Sequence, residues 1–176
     1  MHPYERPIQR KWAQRRARKG ARRLIAQELE RVLLQGIGLD WEQPEQLHRL
    51  RIALKRLRYT VDLFGDLLDG GRSPIIRPLK RLQDGFGAVQ DAEVHLRLLQ
   101  ELTARLRAER PDACQEETTT WDHLRGLLNT RRTAALGEAR AQWERFCAPE
   151  FLERIAQTYR LNLSAHQDSL QEATAP

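Results

Sequence analysis

Residues 47–64 read Leu47-His48-Arg49-Leu50-Arg51-Ile52-Ala53-Leu54-Lys55-Arg56-Leu57-Arg58-Tyr59-Thr60-Val61-Asp62-Leu63-Phe64. At 100° per residue, Leu47, Leu50, Leu54, Leu57, Val61, Phe64 and, just beyond, Leu68 fall on one stripe. That spacing predicts an amphipathic helix with this stripe in a core. His48, Arg51, Lys55 and Arg58 form a second stripe, within roughly 80° of one another and beside the core stripe rather than opposite it. Arg49 and Arg56 point well away, toward solvent.

The position of the second stripe carries the functional argument. Charges that need only water belong on the far side of such a helix. A cationic row at the core boundary faces the groove beside a neighbouring helix, where partly dehydrated charges hold an anion more strongly. Like charges at three- and four-residue spacing also repel by a few tenths of a kcal/mol per pair. No carboxylate on this helix follows them until Asp62. A polyanion would neutralise the row. The competing structural reading is that these side chains snorkel and pair with acids on other helices.

Outward from this segment, apolar residues recur at three- and four-residue spacing, without strand-like alternation. Leu, Ala, Arg, Gln and Glu, all good helix formers, dominate. Breaks are expected at Gly36-Ile37-Gly38, Gly70–Pro74, Gly85-Phe86-Gly87, Pro111-Asp112 and Pro149. They predict helices near 7–35, 44–69, 75–87, 91–109, 119–147 and 150–163. Pro44 suits the first position of the second helix and Glu45 complements its dipole. Asp91 is placed to cap a fourth helix, with Gly87 allowing a tight turn before it. The fold class is therefore all-α, an antiparallel bundle of about five to six helices. One helical domain is expected over 1–163, with a polar, frayed tail over 164–176.

The first helix repeats the basic theme. Arg10 to Arg23 holds eight basic residues and no acidic one. Arg15, Arg16, Lys19, Arg22 and Arg23 share a broad face with Trp12, while Ala13, Ala17, Gly20, Ala21 and Leu24 lie opposite, small enough for close packing. Two cationic faces on sequential antiparallel helices would form the walls of a groove, with Lys80 adding a charge and Gln83 a donor from the third helix.

Composition agrees. The 176 residues suffice for one domain with a core. Net charge is +6, but residues 1–100 hold 20 basic and 12 acidic side chains, against 10 and 12 in residues 101–176. This asymmetry points to a localised anion surface. Cys114 and Cys147 lie far apart, which favours a reducing compartment over a disulfide scaffold or zinc site. No stretch approaches the ~18 apolar residues of a membrane span, and nothing resembles a signal peptide. A cytoplasmic location is expected.

Catalytic and metal chemistry find little support. Glu45-x-x-His48 matches half of a di-iron motif that needs a second copy. His95 and His123 are isolated. No Gly-x-Ser-x-Gly and no phosphate-cradling glycine loop occurs. Asp62 and Asp91 are too few carboxylates to hold magnesium for phosphate hydrolysis. No enzyme activity, cofactor or metal is expected. Nucleic acid is the main alternative partner, since phosphate contacts carry no sequence information. Against it, aromatic residues make up 6% of the chain, and only Trp12 and Tyr59 are placed to stack bases. A third reading is a bundle that docks an acidic protein segment.

The segment His48 to Tyr59, then Leu79-Lys80-x-Leu82-Gln83 and Phe86-Gly87-x-x-x-Asp91-x-x-Val94, resembles the CHAD family, the conserved-histidine α-helical domain. The resemblance covers residues 44–102 well and the flanking helices more loosely. It implies a helical fold that binds inorganic polyphosphate through this basic surface, without catalysis. His48, Arg51, Lys55, Arg58 and Lys80 inherit the binding role by matching positions, and the first-helix residues Arg15, Arg16, Lys19, Arg22 and Arg23 join them. Some relatives are fused to a triphosphate-tunnel catalytic domain; others sit on polyphosphate granules. The family usually holds two such repeats, each with its own histidine motif, whereas this sequence has one, most like the second. Either a homodimer restores the two-repeat arrangement, or the sequence is a fragment.

Overall fold

A computed structural model describes residues 6–109 and 114–161. Five helices follow in order: α1 (Arg6–Gly36), α2 (Pro44–Phe64), α3 (Ser73–Glu109), α4 (Cys114–Cys147) and α5 (Pro149–Tyr159), with a single 3-10 turn (Gly65–Leu67) after α2. None of the described helices is long and apolar enough to cross a membrane. The chain is all-α, as expected. The tail expected over 164–176 lies outside the described residues.

The predicted α2 stripe is the core. Leu47, Leu50, Leu54, Leu57 and Val61 are buried, joined by Ala53, while Phe64 packs against the cluster and Leu68 is buried beyond the 3-10 turn. Each such side chain contributes about 1.5–3 kcal/mol on burial. Around α2 gather Ile25, Leu29 and Val32 of α1, Ile75, Leu79, Leu82, Phe86 and Val89 of α3, Ala139, Trp143 and Phe146 of α4, and Leu152, Ile155 and Tyr159 of α5. Pro44 occupies the first turn of α2 with Glu45, as its sequence predicts.

The expected third and fourth helices are one. Gly85-Phe86-Gly87 is no break, and Asp91 caps nothing; it lies exposed in the middle of the 37-residue α3. Two glycines weaken a helix by about 1 kcal/mol each relative to Ala, a cost that packing offsets here. A Cβ on Gly85 would lie 3.0 Å from Gln142 Oε1 and 3.4 Å from Ala139 Cα. That glycine therefore lets α4 approach closely instead of turning the chain. Helix ends also shift: α2 gives way to the 3-10 turn after Phe64, α4 starts at Cys114 and α5 stops at Tyr159.

The small face of α1 does not pack along its whole length. Residues 11–20 are all exposed, Ala13, Ala17 and Gly20 included, and burial begins at Ala21. At 1.5 Å per residue α1 runs about 46 Å and α2 about 32 Å, so the start of α1 overhangs its partner. At its other end Gly36 lies beneath Trp143, where a Cβ would come within 2.0 Å of Cζ2. Arg18 and Arg22 of α1 and Arg160 after α5 each reach Asp69 at 3.6 Å, tying these elements to the α2–α3 connection.

Candidate functional site

The two flanks of α2 meet different neighbours. Arg49, Ile52, Ala53 and Arg56 border α1, opposite Arg31 and Gln35. His48 and Arg51 border α3, where Gln90, Glu93 and Arg97 are polar members of the lining of a shallow pocket over Phe86 and Val89. The predicted row therefore faces α3. The expected groove between the basic faces of the first and second helices does not form from this row, because α1 packs on the opposite side of α2.

Within the α2–α3 cleft, His48 Nδ1 lies 3.3 Å from Gln90 Oε1. The two helices run antiparallel and rise equally per residue. Continued from that contact, the register brings Arg51 level with Gly87, Lys55 with Gln83 and Arg58 with Lys80. One wall thus carries His48, Arg51, Lys55 and Arg58. The other carries amides from Gln90 and Gln83, a gap at Gly87, and the Lys80 ammonium. A Cβ at Gly87 would meet nothing within 4 Å, so the gap is open space.

Burial along this row is graded. His48 and Lys80 are exposed, while Arg51, Lys55 and Arg58 are half-buried. Arg58 donates to Asp62 at 3.3 Å, and its guanidinium sits 4.5 Å from the centroid of the Tyr59 ring. Three side-chain nitrogens in the cleft are buried without a hydrogen-bond partner: Arg51 Nε, Arg58 Nε and Gln83 Nε2. All three are donors. A buried donor left unmet costs about 1–3 kcal/mol, and an oxyanion supplies the acceptors they lack. Arginine offers its forked N–H groups to such an oxyanion and lysine a point charge.

Glu93 is the acidic member of the pocket lining. Arg132, from the middle of α4, donates to it and, at 3.0 Å, to Glu42. These hydrogen bonds, Glu93 first, raise the Arg132 guanidinium above its ordinary value against a smaller desolvation by burial. The carboxylate most able to fill the cation cleft is thereby engaged from behind.

The first-helix candidates lie apart from this cleft. Arg15, Arg16, Lys19 and Arg23 are exposed on α1; Arg22 is half-buried and turned to Asp69. Gln90 and Arg97 line the cleft and Arg132 holds its Glu93; the sequence pattern singles out none of the three as a ligand. Gln90 and Arg97 share a face at a spacing of seven, visible only once α3 is known to run through Gly87. Arg132 is 39 residues from Glu93, and no local pattern links them.

The model of the CHAD domain matches residues 2–100. The chain belongs to the CHAD domain family. No curated protein and no solved structure gave a match. The matched CHAD segment contains α1, α2 and α3 as far as Gln100, hence both walls of the cleft. Arg132, which holds Glu93, comes from beyond it.

Proposed function

We propose that this CHAD domain binds inorganic polyphosphate, without catalysis, along the α2–α3 cleft. The observation that supports this reading best is the trio of buried unpartnered donors, Arg51 Nε, Arg58 Nε and Gln83 Nε2, within a row of cations. His48, Arg51, Lys55, Arg58 and Lys80 contact phosphate oxygens. The first-helix cations Arg15, Arg16, Lys19, Arg22 and Arg23 form an outlying basic surface that attracts more of the same chain. Affinity falls steeply with salt as counterions are released.

Replacing Arg51, Lys55 and Arg58 together with Ala removes most binding and leaves helicity intact. Unchanged affinity in that variant rejects the site. Choice of anion is read by competition at fixed ionic strength among long polyphosphate, single-stranded DNA, duplex DNA and polyglutamate. Polyphosphate displaces the probe at much lower concentration; equal displacement by all four rejects the ligand. Single-stranded DNA is the serious competitor, since Tyr59 and Trp12 are exposed aromatic faces suited to stacking.

With one histidine motif in the chain, two copies pair about a twofold axis and complete a two-repeat arrangement. Sedimentation that gives a monomer with full polyphosphate affinity rejects this. The working location is the cytoplasm, on polyphosphate granules, tested by imaging a tagged chain against a polyphosphate stain.

A further inference from the structure

The other flank of α2 carries a second cationic cleft. Arg49 and Arg56 on α2 and Arg31 on α1 surround an open space of about 170 Å³, with Ile52 and Ala53 as part of its lining. Seven residues separate Arg49 from Arg56, so they stand about 10.5 Å apart along one side of the helix. Neither has an ion pair or hydrogen bond among the described residues. Glu45, one turn before Arg49, makes no ion pair with it. Glu28 pairs with Arg31 within α1, which leaves the two α2 guanidiniums uncompensated. Charges that need only solvent would spread away from a third cation. Here two helices bring three guanidiniums to one cleft.

We propose that this α1–α2 cleft is a second oxyanion site, taking a phosphate group of an inorganic polyanion between the Arg31, Arg49 and Arg56 guanidiniums. It shares no residue with the α2–α3 cleft and does not depend on the function proposed for that cleft. The Arg49 and Arg56 guanidiniums present forked donors that match a phosphate edge, and Arg31 adds the N–H groups that its pair with Glu28 leaves over. The apolar contribution of Ile52 and Ala53 lowers the local dielectric and strengthens the charge interaction. Because the two clefts flank the same helix, one long chain reaching over α2 engages both, and the second contact gains from effective concentration.

The test is calorimetric titration of the full chain with inorganic tripolyphosphate at constant ionic strength. The wild type binds two equivalents. R49Q/R56Q binds one, with an unchanged melting temperature, and R31Q, which leaves α2 untouched, weakens the same equivalent. R51Q/R58Q removes the other equivalent and leaves this one. Two equivalents retained by R49Q/R56Q overturn the second site, as does a single wild-type equivalent that R51Q/R58Q abolishes. If R51Q/R58Q leaves both equivalents and R49Q/R56Q removes one, the second site stands and the α2–α3 assignment fails.

Discussion

His48 Nδ1 lies 3.3 Å from Gln90 Oε1, across the cleft between α2 and α3. With the amide oxygen accepting, the proton of this contact sits on Nδ1; Nε2 of a neutral ring is then an acceptor, so His48 donates to a phosphate oxygen only when Nε2 carries a proton as well. Gln90→Ala removes the contact and lets the ring rotate. Polyphosphate affinity drops about 5-fold, the effect of one ordinary hydrogen bond of about 1 kcal/mol. Anisotropy titration of labelled polyphosphate measures it. Nitrogen NMR of the free protein reports the Nδ1–H tautomer, and a ring protonated only at Nε2 would contradict the contact.

Gly87 separates stability from binding. Its missing Cβ faces open space within a continuous helix, so Gly87→Ala stabilises the protein by about 0.5–1 kcal/mol through backbone entropy and helix propensity. Gly87→Phe projects a ring from that open Cβ position into the gap level with Arg51. Thermal melting stays at or above wild type, while polyphosphate affinity falls at least tenfold. A binding loss accompanied by a collapsed melt would show instead that Gly87 serves packing.

Arg132 acts on the cleft through Glu93. Arg132→Gln leaves that carboxylate unengaged in the pocket lining, where it repels an incoming polyanion and competes for the cations. Affinity falls about 5- to 10-fold, a cost of about 1–1.4 kcal/mol. The double variant E93Q/R132Q recovers most of it, because the repelling charge is gone. Failure of the double variant to recover binding, despite a normal melt, would assign Arg132 a purely architectural part.

Alkaline stability follows from two acids drawn out of water, Tyr159 buried and Cys147 half-buried against the core. Burial pushes the Cys147 thiol from its ordinary 9.0 up to about 12. Burial, aided by the charge of Asp66, pushes the Tyr159 phenol from 10.0 up to about 12. The unfolded chain releases these protons first, so above pH 9 the native state binds more protons and stability falls as pH rises. The contribution is complete below pH 9 and is lost by about pH 12. Urea midpoints fall across this window, and Tyr159→Phe shows a shallower fall than wild type above pH 10. A midpoint independent of pH from 9 to 12 would count against desolvation of either group.

The sequence by itself determined the all-α class, the core stripe of α2 from Leu47 to Val61, and the cationic row beside it. Helical phase carries this information: 3.6 residues per turn fix which side chains share a face, whatever packs against them. Phase is silent on which helix covers which flank. The row from His48 to Arg58 faces α3, not α1, and Arg49 with Arg56 faces α1, because three-dimensional packing chose among neighbours that the pattern treats alike. The same limit explains Gly85 and Gly87. Local propensity favours a break there, yet the close approach of α4 to Gly85 and burial of Leu82, Phe86 and Val89 outweigh about 2 kcal/mol of lost propensity. Only that continuity carries Gln90 and Arg97 onto the face opposite His48, and only the tertiary fold brings Arg132 to Glu93.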